Sequence, residues 1–126
     1  MRLPHLLALG LILTLAACAA PDDAPSSGEA GSDALTVTVS DFMIDPSDLE
    51  VTGTTVTIDV VNDGPTPHNL SVRDADGEIV MATADLSTGG TETITADLEP
   101  GEYTTFCSLA GHESLGMSGT LTVAAP

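Results

Sequence analysis

The chain has 126 residues and a mass of 12.7 kDa, room for one ordinary domain and too small for a large multi-site enzyme. Arg2 and Arg73 are its only cations against 19 acidic residues, a formal charge of −17, which excludes a basic nucleic-acid or anionic-membrane patch. Two cysteines exclude a disulfide-rich scaffold, and a scarcity of aromatics (Phe42, Tyr103, Phe106) excludes stacking platforms for single-stranded nucleic acid.

The N-terminus reads as an address. Met1 to His5 is a short, weakly positive start. Leu6 to Leu15 is a mostly apolar run of about ten residues, the length of a signal-peptide core and too short to span a bilayer. Leu15-Ala16-Ala17-Cys18 resembles the box of bacterial lipoproteins, in which small residues precede a cysteine that is lipidated and becomes the first residue of the mature chain. The resemblance implies a signal peptide over 1–17 and lipid on Cys18, with more than one acyl chain for stable anchoring. The expected location is the cell envelope, on the outer face of the cytoplasmic membrane. Residues 18–34 then form the lipidated cysteine and a flexible acidic linker, since Ala19 to Ala34 is rich in Pro, Ser, Gly and Asp and holds no large apolar residue. Cleavage removes Arg2 and His5, leaving 19 acids against Arg73 alone, a formal charge of −18.

Residues 35–126 form the expected domain, and its pattern is strand-like throughout. Leu35 to Val39 alternates apolar and polar residues with period two. Phe42 and Ile44 then fall out of phase, which predicts a bulge near Ser40 or Asp41. Thr54 to Val61 alternates again through Val56, Ile58 and Val60. Leu70 to Val72 is a short apolar run, and Asp76-Gly77 is a turn signal before Ile79 to Met81. Thr91 to Leu98 alternates, Pro100-Gly101 is a turn, and Tyr103 to Cys107 and Thr120 to Val123 are the last strands. No helical periodicity lasts more than one turn. Short Thr/Val-rich strands separated by turns predict an all-β, Greek-key antiparallel β-sandwich. Tyr103 is expected to cap a turn or to enter the core.

The chemistry-bearing residues are few and clustered. Cys107, His112 and Met117 lie in one 11-residue segment joining two predicted strands. His68 opens another strand after Gly64-Pro65-Thr66-Pro67. Loops of a sandwich gather at its ends, so these groups can meet. Taken singly, each has an ordinary reading: a surface histidine, a small buried hydrophobe, a filler methionine. Together, two histidines, one cysteine and one methionine make the ligand set of a mononuclear blue-copper site, a His₂Cys plane with a weak axial Met. With Cys18 lipidated, Cys107 has no disulfide partner in an oxidising compartment, where a lone thiol is either reactive or occupied.

The segment Leu98-Glu-Pro-Gly-Glu-Tyr-Thr-Thr-Phe-Cys107-Ser-Leu-Ala-Gly-His112-Glu-Ser-Leu-Gly-Met117-Ser-Gly-Thr-Leu-Thr-Val123 resembles the C-terminal copper motif of cupredoxins, the plastocyanin and azurin class. Asn62-Asp-Gly-Pro-Thr-Pro-His68-Asn69 resembles their upstream ligand motif, and Asp41-Phe-Met-Ile-Asp-Pro46 their opening strand. Four-residue gaps on both sides of His112 are similar to the longer-loop, rusticyanin-like members. One departure is Ala110, where family members usually carry Pro before the Gly-His pair. The resemblance implies one copper ion held by His68, Cys107 and His112, with Met117 axial. It implies that Asn69 hydrogen-bonds across to the Cys107 loop, and that the edge of His112 is the electron port. Pro65, Pro67, Leu109, Ala110 and Leu115 are the expected apolar docking collar.

The function expected is that of a membrane-tethered one-electron carrier cycling Cu(II)/Cu(I), not an enzyme. Four protein ligands leave no open position for substrate, unlike a catalytic metal site. Only Cys107 lies in the loop, against the two cysteines that a binuclear copper site needs. Structural zinc normally recruits more thiolates, and a Cys–His nucleophile pair lacks a recognisable orienting residue or oxyanion hole. The alternative is a copper chaperone or storage lipoprotein, whose metal exchanges rapidly. The acidity favours a basic redox partner, such as a cytochrome or oxidase subunit, or serves solubility in salt-rich surroundings. No nucleic-acid partner is expected, and the chain is expected to be a monomer.

Overall fold

The computed structural model describes residues 34–126. The signal-like segment 1–17, Cys18 and linker residues 19–33 lie outside it. Nine strands and one 3₁₀ turn follow in order: β1 (Leu35–Ser40), β2 (Met43–Asp45), β3 (Asp48–Thr52), β4 (Thr55–Asn62), β5 (Ser71–Arg73), β6 (Ile79–Ala82), β7 (Thr91–Asp97), β8 (Gly101–Phe106), the turn Glu113–Leu115, and β9 (Ser118–Ala124). They build two sheets, β2-β1-β4-β7 and β3-β9-β8-β5-β6. The fold is the expected all-β, two-sheet sandwich.

Alternation places the core. β4 buries Val56, Ile58 and Val60. Its outer face presents Thr55, Thr57 and Asp59, which meet Asp97, Thr95 and Thr93 of β7 through side-chain hydrogen bonds of 2.7, 3.1 and 2.5 Å. Threonine suits this position because its branched side chain fits a pleated face and its hydroxyl finds a partner across the strands. Val37 and Val39 of β1, Val72 of β5 and Leu121 and Val123 of β9 fill the space between the sheets. Each buried aliphatic side chain contributes on the order of 1.5–3 kcal/mol.

Three features correct the sequence-based expectation. First, the sheets are mixed: β1 runs parallel to β4 and β3 parallel to β9, while the other five pairings are antiparallel. Between β1 and β4 the chain crosses to the opposite sheet as β3, and such a crossover lets it return in its original direction. Second, the phase change after Ser40 is a two-residue reversal rather than a bulge. Asp41 and Phe42 turn the chain so that Ser40 pairs with Met43, and Phe42 takes a left-handed φ of 58°. The register shift in this fold lies instead between Val72 and Arg73. Third, Asp48–Thr52 is a strand the sequence reading passed over. Leu49 and Val51 face inward, while Asp48 and Glu50 put charge on an edge strand, which discourages pairing with another chain.

Both expected turns form, but His68 does not open a strand: it makes only an isolated bridge to Leu86, and β5 begins at Ser71. Asp74 Oδ1 accepts the backbone N–H groups of Asp76 and Glu78 at 2.9 Å and organises the 76–77 turn. Tyr103 does both things expected of it: its ring packs against the core, and its hydroxyl donates to the Glu99 carbonyl at 2.8 Å, spanning the Pro100-Gly101 turn. β1 and β4 end side by side because they are parallel, β8 ends opposite the start of β9, and the meeting of His68 with Cys107 puts both pairs at one edge of the sandwich.

At Gly119 the chain lies tightly against the Ser47 backbone. A β-carbon there would lie 2.1 Å from the Ser47 carbonyl oxygen and 2.9 Å from Thr105 Oγ1, and that carbonyl already accepts the Thr120 N–H at 2.7 Å. Gly119→Ala is therefore expected to lower stability by about 1–3 kcal/mol, as overpacked sites do. Urea unfolding of the two proteins checks this, and equal midpoints would contradict it.

Candidate metal centre

His68, Cys107 and His112 converge at that edge. Their ligand atoms all lie within 4.8 Å of one another. His68 Nδ1 stands 3.2 Å from His112 Nδ1, which in turn stands 3.5 Å from Cys107 Sγ. His68, Cys107 and Met117 are fully buried, and His112 is half-buried.

The downstream loop is closed at its neck. Cys107 follows β8 directly and Met117 precedes β9, so the pairing of Phe106 with Ser118 brings them together. The Cys107 N–H donates to the Met117 carbonyl at 3.1 Å, and the Met117 N–H donates to the His112 carbonyl at 3.2 Å. Leu109 accepts from the His112 N–H, and the His112 carbonyl also accepts from Leu115, winding Glu113–Leu115 into one 3₁₀ turn. Gly116 ends that turn at φ 105°, a left-handed conformation that glycine adopts without a steric penalty.

Asn69 ties this loop to the upstream one. Its Oδ1 accepts the Ser108 N–H at 2.8 Å, and its Nδ2 donates to Ser108 Oγ and to Asp85 Oδ1. Its own backbone N–H points at Cys107 Sγ, 3.5 Å away. A donor on the sulfur orients it and draws charge from it. Asn62 supports the upstream loop from below and is wholly buried. Its Nδ2 donates to the carbonyls of Thr66 and Leu86, and its Oδ1 accepts the Gly64 N–H. A further backbone pair, His68 with Leu86, fixes His68 in the segment between β4 and β5.

Arg73 supplies a second clamp. Its guanidinium lies over the Phe106 ring at 4.3 Å and grips the Glu113 carboxylate with two hydrogen bonds, 3.1 and 2.5 Å long. Glu113 follows His112 directly, so the clamp restrains a loop that carries Ala110 instead of proline.

Sequence reasoning did not select Asp41, Asn62, Arg73 or Phe42 as site residues. Asp41 Oδ1 stands 3.0 Å from His68 Nε2 and accepts the Thr66 hydroxyl at 2.8 Å. The hydrogen bond from His68, then that from Thr66, holds the Asp41 carboxyl below its ordinary 3.8. Phe42 meets the His112 ring edge-on, with centroids 5.4 Å apart. The available signal was the break of phase at 41–42. Of the expected collar, Pro65, Pro67, Ala110 and Leu115 are exposed, while Leu109 is half-buried against the core. Phe42 and Met43 add exposed apolar surface on the β1–β2 turn.

The donor set fits a single metal ion. At the bond lengths of a first-row ion, about 2.0 Å to nitrogen and 2.3 Å to sulfur, angles between tetrahedral and trigonal put two nitrogens about 3.3–3.5 Å apart and a nitrogen and a sulfur about 3.5–3.7 Å apart. The observed 3.2 and 3.5 Å match these separations. One thiolate, two imidazoles and a neighbouring thioether are the donors of one type 1 copper.

Comparison with known proteins agrees. The family model described as a cupredoxin-like domain matches residues 5–123, and the chain belongs to that family. A search of curated proteins returns no match. The fold is similar to dithionite-reduced auracyanin from the photosynthetic bacterium Roseiflexus castenholzii. That structure has a TM-score of 0.66 and 26% identity, with 72% of this chain and 96% of that one covered. Auracyanin B has the same fold at TM-score 0.66 and 22% identity, covering 72% and 88% of the two chains. So has a purple cupredoxin from Nitrosopumilus maritimus, at 0.54 and 22%, covering 71% and 99%.

Replacing Asn69 by Ala strips partners from Ser108 and Asp85 together. The expected loss of stability is about 1–3 kcal/mol in the metal-free protein. The 107–117 amides should exchange faster with solvent, and unchanged protection there would refute the tie.

Proposed function

We propose that this protein is a membrane-tethered one-electron carrier. The observation that supports it best is the pairing of three buried donors, His68, Cys107 and Met117, with a fourth, His112, that is only half-buried. Cupredoxins are typically electron carriers rather than enzymes. Bound copper supplies a Cu(II)/Cu(I) couple.

The protein's own residues do the rest. Cys107 and the two imidazoles offer soft and intermediate donors, and the hydrogen-bonded loop resists rearrangement when the charge at the site changes. Burial keeps water from the donors. The half-exposed His112 is the shortest route from this centre to a partner, and exposed Pro65, Pro67, Ala110, Leu115 and Phe42 offer an apolar rim around it. Small, weak interfaces suit such encounters. The acidic charge supports a basic partner, a cytochrome or oxidase subunit, steered by long-range attraction.

The tether is read from Leu15-Ala16-Ala17-Cys18 and the acidic stretch after it. It supports attachment through lipid on Cys18 to the outer face of the cytoplasmic membrane. Such an anchor confines the domain near donors and acceptors on one face.

The test is spectroscopic. Residues 22–126 receive one equivalent of Cu(II), and visible and EPR spectra are recorded. The expected result is an intense thiolate-to-copper band with narrow hyperfine splitting, lost in Cys107→Ala. A weak, ordinary Cu(II) spectrum that survives Cys107→Ala would overturn the reading. Rapid loss of Cu(I) to a modest chelator would favour the chaperone alternative instead.

A further inference from the structure

The turn between β1 and β2 touches both histidines of the centre. Asp41 reaches the far nitrogen of His68, and the next residue, Phe42, meets the ring of His112. The left-handed backbone of Phe42, uncommon for a bulky residue, is what lets so short a turn present both side chains to the site.

The far edge of His68 is closely confined. Its Nε2 lies 3.0 Å from Asp41 Oδ1 and 3.2 Å from Thr66 Oγ1. On the other side is Gly64, where a β-carbon would stand 3.1 Å from the same nitrogen. The Thr66 hydroxyl donates to Asp41 Oδ1, so both groups converge on one carboxylate oxygen. An ionised carboxylate only accepts hydrogen bonds. The proton of neutral His68 therefore belongs on Nε2, which leaves the Nδ1 lone pair facing Cys107 and His112.

The charge of Asp41 is also uncompensated. Arg73, the one Lys or Arg among the described residues, is engaged by Glu113. Asp85 touches the centre only through Asn69. Asp41 is the one carboxylate among the described residues that is hydrogen-bonded to a member of the cluster.

We infer that Asp41 is a positioning residue for the metal centre: it locks His68 in the tautomer that presents Nδ1, and it holds a negative charge one imidazole away from the bound ion, lowering the reduction potential. The second half rests on the copper reading above. A fixed anion stabilises the more highly charged oxidation state, so it favours Cu(II) over Cu(I). A carboxylate on the outer nitrogen of a ligating histidine also raises the basicity of the inner one. The side chain of Asp41 is 42% exposed, so salt screens part of the charge effect but not the hydrogen bond.

Two substitutions separate these roles. Asp41→Asn keeps an acceptor and removes the charge, whereas Asp41→Ala removes both. Glu102→Gln, on the exposed face of β8, is the control for charge alone. Spectroelectrochemistry of the copper-loaded proteins gives the midpoint potential. Nitrogen-15 NMR of histidine-labelled, metal-free protein gives the His68 tautomer and the exchange of its Nε2 proton.

The expected results are an upward shift of potential in both Asp41 variants and none in Glu102→Gln. Asp41→Asn should retain the Nε2-protonated tautomer. Asp41→Ala should lose it in part, with faster proton exchange. An unchanged potential and an unchanged tautomer in Asp41→Ala would overturn the inference, as would an equal shift in Glu102→Gln. A wild-type protein without the thiolate-to-copper band would defeat the copper reading alone. The metal-free tautomer then decides the positioning role by itself.

Discussion

The hydrogen bond from the Cys107 N–H to the Met117 carbonyl holds the neck of the loop on which the centre depends. It continues the β8–β9 ladder one step past the last strand pair, Phe106 with Ser118. Three donors of different softness are thereby confined to one short loop between adjacent strands. Closing so short a loop between two strands that already pair adds little entropy loss of its own. The fourth donor, His68, must come from elsewhere: it lies beyond the end of β4, in the opposite sheet, and its segment meets the Cys107 loop through Asn69.

Polar residues fasten the two loops to one another. A buried polar side chain is costly unless its hydrogen-bonding capacity is met. Asn62 satisfies both of its donors and its carbonyl, and Asn69 does the same with Ser108 and Asp85. These are specific attachments, because rotating either amide leaves groups unpaired. The Arg73–Glu113 pair adds a bidentate grip stacked on Phe106. An exposed ion pair alone contributes little, but fork-to-carboxylate geometry fixes direction as well as distance. The loop thus obtains from side-chain bonds a restraint that Ala110 itself does not supply.

Much of this was legible in the sequence. Alternation through Val56, Ile58 and Val60 locates β4 because one face of a half-buried strand must be apolar. The scarcity of histidine and cysteine made His68, Cys107 and His112 conspicuous. Other elements were hidden. Asp48–Thr52 holds only two apolar residues and follows an Asp-Pro-Ser run that reads as turn. Its pairing with β9 is a long-range parallel contact with no local signature. Asp41 looked like one of 19 acidic residues, and nothing nearby in sequence indicates that it faces a histidine 27 residues away.

The sequence by itself determined the element types, the inward faces and the identity of the donors, since these follow from local alternation and from side-chain chemistry. Only the tertiary structure decided which strands run parallel, which nitrogen of each histidine faces the cluster, and which of many acids sits against it. Those outcomes depend on contacts between residues far apart in the chain, where register and crossover, rather than local preference, set the distances.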